Sequence, residues 1–234
     1  MFNSHKVSVA LFFGAFLVVG LLVFKDYGIT WDETRSRENG MVSYDYAFRG
    51  NQALLTYVDR YYGVAFELPS YMLEKALNLA DSRDVYLMRH LLTFLIFYAS
   101  VFVFYRLCTD CFRDWRMGLL GAACLVLSPR IFANAFFNSK DLVFLSVFVI
   151  GIYTLTKWLE KRSVSSTLWH ALACAVAIDV RVVGVLLPAF TVAMLAETRV
   201  SDRTLKGLPA DILHLALYVV AMAGAVTLLC PVLW

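Results

Sequence analysis

The residues of this 234-residue chain best suited to chemistry fall in three short clusters. The first is the adjacent pair Asp32-Glu33. The second runs from Ser128-Pro129-Arg130 to Asn138-Ser139-Lys140-Asp141, and the third is Asp179-Val180-Arg181. Each lies beside an apolar run, and ionised groups next to hydrocarbon are costly and tend to be kept for a task. A carboxylate so placed can take the proton of an attacking hydroxyl. Arg130 sits among Leu127, Pro129, Ile131 and Phe132, and Arg181 among Val180, Val182 and Val183. Cations in such company call for an anion, and a phosphate at a membrane surface is the informative one. Together these groups fit displacement at a sugar carbon attached to a lipid phosphate. The leaving phosphate is a weak base, so it needs a cationic clamp more than a general acid. One in-line attack inverts the anomeric centre. A two-carboxylate glycosidase mechanism needs an acid of raised pKa, and nothing singles one out.

Plainer roles compete with each of these. Thr30-Trp31-Asp32-Glu33 fits T-x-x-E, a capping box in which Glu33 reaches back to the Thr30 amide. Asp32 then stands in a first helical turn, where the helix dipole favours the ionised form and suits a base. Lys140 and Asp141 could be a boundary pair with Lys140 snorkelling, and Asp179 is the nearest partner for Arg181. Cys108 and Cys111 form a C-x-x-C with no second pair or nearby His to complete a zinc site.

The elements that must carry these clusters are apolar. The chain is 60% hydrophobic and 17% charged, with a mean hydropathy of +0.68, too apolar for one water-facing core. It reads as an all-α, polytopic transmembrane helical bundle in a single module over residues 1–234. No Lys/Arg-rich run points to nucleic acid. Spans of about 20 apolar residues are expected at Val7–Phe24, Tyr86–Leu107, Met117 to about Ala133, Leu142 to about Trp158, and Ile212–Val232. Val164 to Glu197 holds Asp179 and Arg181 at its middle and is favoured as a hairpin of two short helices, which makes seven spans; six stays open. The first span lacks a small-x-small cleavage site, so an uncleaved helix is expected rather than a signal peptide. Lys and Arg in short loops prefer the cytoplasm. Arg106, Arg113 and Arg116, then Lys157, Lys161 and Arg162, then Arg199, Arg203 and Lys206 therefore place the N-terminus inside and the three clusters outside. Asp26 to Val85 becomes a long outer loop rich in tyrosine. Amphipathic helices are expected there at about Trp31–Arg49 and Leu68–Ala80, lying at the interface.

Tyr27-Gly28-Ile29-Thr30-Trp31-Asp32-Glu33 resembles the Asp-Glu signature of the GT-C membrane glycosyltransferases. The likeness is nearest to family 39, the protein O-mannosyltransferase and aminoarabinose-transferase-like enzymes. Ser128-Pro129-Arg130-Ile131-Phe132 with Asn138-Ser139-Lys140-Asp141 resembles the second outer-loop motif of the bacterial members. Ala177-Ile178-Asp179-Val180-Arg181-Val182-Val183-Gly184 resembles their basic turn between the fifth and sixth spans. The resemblance implies a seven-helix module, a polyprenyl-phosphate sugar donor drawn from the membrane lipid, and an inverting transfer at the outer face of a bacterial inner membrane. It implies Asp32 as base or acceptor-orienting acid, with Glu33 beside it. Asp141 is the second acidic position, and Lys140 and Arg181 are phosphate ligands, with Arg130 and Asn138 in the same substrate-binding group. Asp32 and Asp141 could supply oxygen ligands to a divalent cation, but a monophosphate donor makes no metal obligatory. The chain departs from the family where Phe66-Glu67-Leu68-Pro69 replaces a His-Pro-Pro element, and family members usually continue for hundreds of residues, so a truncated or inactive relative is one alternative. A small-solute transporter is another, and would hold its charges near the bilayer midplane. The sugar and the acceptor are not named by the sequence.

Overall fold

The computed structural model describes residues 4–202 and 208–234. Its helices are α1 (Ser4–Val23), α2 (Trp31–Arg49), α3 (Glu67–Ala76), α4 (Ser82–Phe112), α5 (Trp115–Val126), α6 (Pro129–Phe137), α7 (Asp141–Glu160), α8 (Val164–Val180), α9 (Leu186–Asp202) and α10 (Leu208–Leu229). Short 3-10 turns lie at Gln52–Thr56, Val182–Val185 and Pro231–Leu233, and no strand occurs among the described residues. Among the described residues, five helices are long and apolar enough to cross a membrane: α1, α4, α7, α9 and α10. The chain is an integral membrane protein built as a helical bundle.

The expected third span is not straight. α5 stops at Val126, Pro129 opens α6, and the two helices bend by 68°. Proline at a first helical position costs no hydrogen bond there but cannot continue the preceding helix. Taken together, α5 and α6 count as a sixth span. The expected hairpin over 164–197 is present: α8 ends at Val180, Arg181 is extended (φ −150°, ψ 133°), and α9 returns. α8 has 17 residues, the lower limit for a span.

Contacts between helix ends sort the bundle into two faces. At one, Lys157 Nζ lies 2.8 Å from Asp110, and Arg162 Nη1 donates to Asp211 Oδ1 at 2.9 Å, with Arg199 on the other Asp211 oxygen. Arg113, Arg116 and Lys161 fall at this far face too. Arg203 and Lys206, counted with them in the sequence, lie outside the described residues. The opposite end, the loop face, carries residues 26–81.

Two cores hold the bundle. Phe13 and Phe16 of α1, Phe94 and Phe97 of α4 and Phe136 of α6 form the first, with Phe94 stacked on Phe136 at 5.2 Å. The second joins α7, α8, α9 and α10 around Ala171, Cys174, Ala177, Leu187 and Tyr218. Small residues on α8 let its neighbours approach closely, which is how helices associate where lipid is as apolar as the protein. Polar groups buried in this region are answered across helices: His170 lies 3.0 Å from Thr154 Oγ1 of α7 and 2.8 Å from Thr191 Oγ1 of α9.

Candidate functional site at the loop face

α2 spans Trp31–Arg49, the range expected for the first amphipathic helix, while the second is shorter than expected and runs Glu67–Ala76. The lead-in to α2 is fixed by Tyr27, whose ring stacks on Phe136 at 4.6 Å. The capping box forms, with the Thr30 amide donating to Glu33 Oε2 at 2.6 Å. Glu33 is 3% exposed, and its other oxygen accepts from His90 Nε2 of α4 at 2.8 Å. Glu33 therefore locks the first turn of α2 onto α4. Asp32, one residue earlier, is exposed and makes no hydrogen bond or ion pair among the described residues. It opens with Glu33, Asn138 and Lys140 onto a cavity of 130 Å³.

The loop between α6 and α7 forms the facing wall. Asn138 Oδ1 accepts from the Asp141 amide at 2.8 Å, and its Nδ2 donates to Asp141 Oδ2 at 3.0 Å, so Asn138 starts α7. Ser139 donates to Glu67 Oε1 at 2.9 Å, and Glu67 is also paired with Arg89. Glu67 is 6% exposed and Arg89 2%. The Lys140 ammonium makes no ion pair among the described residues and lies over the Tyr62 ring at 5.2 Å. Lys140 lines three adjoining hollows: the one containing Asp32, a narrow cleft beside Glu67 and Asn39, and a 420 Å³ groove walled by Tyr61, Tyr62, Asp179, Arg181, Val182 and Val183.

Arg181 is not paired with Asp179, its nearest partner in the sequence. Its partner is Asp141. Asp179 accepts from the Ala65 amide at 2.7 Å and pins the loop ahead of α3 onto the end of α8. Helix geometry holds Asp179 inward, and the extended backbone at Arg181 turns the next cation away from it. The approach is close enough that a Cβ on Gly63 would stand 1.6 Å from the Asp179 carbonyl oxygen. Both groups sit at the end of α8, not at mid-height of the bundle, which weighs against the transporter alternative.

Asp32, Glu33, Asn138 and Lys140 thus share one hollow, and Arg181 joins Lys140 in the next. Asp141 reaches this group through Arg181 and Asn138. Arg130 does not join it; it is exposed at the start of α6 and lines none of these hollows. The sequence reading missed Glu67, Arg89 and His90, and gave Ser139 only as a member of the second cluster. Arg89 and His90 were visible as ionisable residues one turn inside an apolar run, the signal that commonly marks a site. α2 and α3 are further tied by Arg37, which donates twice to Glu74 at 2.8 and 2.6 Å; that hydrogen bond raises the Arg37 pKa above its ordinary value. Among the described residues no group of three His, Cys, Asp or Glu side chains is placed to hold a metal ion.

A family model described as dolichyl-phosphate-mannose-protein mannosyltransferase matches residues 68–233. The match takes in Arg89, Lys140, Asp141 and Arg181 and begins after Asp32 and Glu33. No curated protein and no solved structure matches the chain.

Proposed function

Because the chain belongs to the dolichyl-phosphate-mannose-protein mannosyltransferase family, and so to the membrane glycosyltransferases of GT-C type, we propose that it moves a sugar from a polyprenyl-phosphate donor to an acceptor hydroxyl at the outer face of the membrane. The observation that carries this reading is the position of Lys140. Its ammonium adjoins the hollow of the free Asp32 carboxylate on one side and the Arg181 groove on the other. A donor phosphate held by Lys140 and Arg181 presents its sugar carbon toward Asp32, and the valine-lined edge of the groove suits the first units of a prenyl chain.

In the proposed step the acceptor oxygen attacks the anomeric carbon as its proton passes to Asp32. The bond from that carbon to the phosphate oxygen breaks, and the electron pair leaves with the phosphate. Lys140 and Arg181 stabilise the charge that develops there. Attack and departure on opposite faces invert the centre. Asp32 is fit for this because it is unpaired among the described residues, exposed to the hollow, and in the first turn of α2, where the helix dipole favours its ionised form. Glu33 is spoken for by Thr30 and His90 and serves to hold the turn.

The test uses the full chain in proteoliposomes, with a radiolabelled polyprenyl-phosphate sugar and a membrane extract as acceptor. Asp32→Asn is expected to lower transfer by about 10²–10⁴-fold while the protein still accumulates in the membrane. Transfer at the wild-type rate would remove Asp32 from the base role.

A further inference from the structure

Two consecutive residues of α4 each hold one half of the site. His90 grips Glu33, which fixes the turn bearing Asp32. Arg89 grips Glu67, and the other oxygen of Glu67 accepts from Ser139, the residue before Lys140. We propose that Glu67, anchored by Arg89, is a positioning residue for Lys140, acting through the Ser139 hydroxyl; the proposal rests on the reading above that Lys140 meets the donor phosphate.

Three observations support it. First, Glu67 and Arg89 are both more than nine-tenths buried. Removing two charges from water costs more than their attraction returns unless the geometry is tight, and apolar residues of similar volume would hold the helices as well or better. Second, the two Glu67 oxygens are divided between two elements, so the carboxylate cannot turn without releasing either α4 or the 138–140 loop. Third, Lys140 has no carboxylate partner among the described residues to aim it; its backbone is set by its neighbours, and among those residues the Ser139 side chain makes a single hydrogen bond, to Glu67. α2 is seated on the same residue, since a Cβ at Gly40 would stand 2.5 Å from the Glu67 carbonyl oxygen. Glu67 is therefore the point from which the base-bearing helix and the cation-bearing loop are both referenced.

The two clamps separate by what they aim. Loss of the Glu67–Ser139 link should weaken phosphate capture, whereas loss of the His90–Glu33 link should leave it intact. The probe is undecaprenyl phosphate, titrated calorimetrically into the purified full chain in detergent, with undecaprenol as the control lacking the phosphate. Lys140→Ala and Ser139→Ala are each expected to weaken undecaprenyl phosphate binding by about tenfold, the loss of a hydrogen bond to a charged group, with undecaprenol binding unchanged. His90→Gln is expected to stay within about twofold of wild type for both lipids, a loss well below one such bond. Ser139→Ala leaves the Arg89–Glu67 pair in place, so it tests the link without stripping a buried charge. If Ser139→Ala binds the phosphate as wild type does while Lys140→Ala does not, the positioning role is overturned and the donor site stands. If Ser139→Ala weakens both lipids alike, its role is structural and the proposal fails. If Lys140→Ala itself binds normally, the donor-phosphate reading falls first.

Discussion

Replacing Glu67 by Gln strips the counter-charge from Arg89. Arg89 is 2% exposed, and a guanidinium cannot shed its proton to escape burial. Breaking a buried pair by removing one partner costs about 3–5 kcal/mol. The Gln carbonyl can still accept one hydrogen bond from Arg89, which returns about 0.5–1.5 kcal/mol, so the net loss should be about 2–4 kcal/mol. Against a total stability of about 5–15 kcal/mol that is a large share. The assay is reversible unfolding by SDS in mixed micelles, run on wild type, Glu67→Gln, Arg89→Met and the pair Glu67→Leu/Arg89→Met. The double variant removes both charges and keeps the volume, so it should be milder than either single change, with a coupling of at least about 2 kcal/mol. It should nevertheless lose undecaprenyl phosphate affinity, because Ser139 has lost its acceptor. A loss below about 1 kcal/mol for Glu67→Gln, or additive single changes, would refute the claim that Glu67 is the counter-charge on which the buried Arg89 depends.

Two further outcomes follow from the same geometry. Gly63→Ala places a Cβ 1.6 Å from the Asp179 carbonyl oxygen, so it should detach the Tyr57–Phe66 loop from α8 and destabilise the protein; faster protease cleavage near Tyr61 than in wild type would report it, and an unchanged digestion pattern would refute the close approach. Arg181→Gln removes a half-exposed pair with Asp141, so unfolding should shift by less than about 1 kcal/mol while undecaprenyl phosphate binding weakens; a stability loss without a binding loss would assign Arg181 to the scaffold.

Much of the fold was legible because it rests on local rules. Capping chemistry at Thr30 and Glu33 marks the start of α2, and the helix begins at Trp31 as expected. The reversal at Arg181 was legible because one helix over 164–197 would have held two charges in hydrocarbon. Proline can open a helix but not continue one, yet the 68° bend at Pro129 depends on how α6 packs against Phe94 and Tyr27, which no local pattern encodes. Site residues on the clusters were legible as charges in apolar company; their partners were not. Asp179 and Arg181 are two apart in sequence, yet a helix end between them sends one to Ala65 and the other to Asp141. Arg89 and Glu67 are separated by 22 residues, and Glu67 stood in a stretch recognised only by what it lacked. A long-range ion pair leaves no spacing to read, whereas a capping box does.

α4 has 31 residues, about 46 Å of helix, whereas the hydrocarbon core of a bilayer is about 30 Å thick. The excess must stand in the headgroup layer or be taken up by tilt. Arg89 and His90 lie within about 12 Å of the start of α4, at its end nearer the loop face. The two clamps are thus fixed to a strut whose height above the lipid is set by hydrophobic mismatch. A thicker bilayer draws the strut in and lowers the site toward the phosphates of the leaflet; a thinner one raises it or tips it. The depth at which this protein would meet a membrane-borne phosphate is therefore tuned by acyl-chain length as well as by its own side chains.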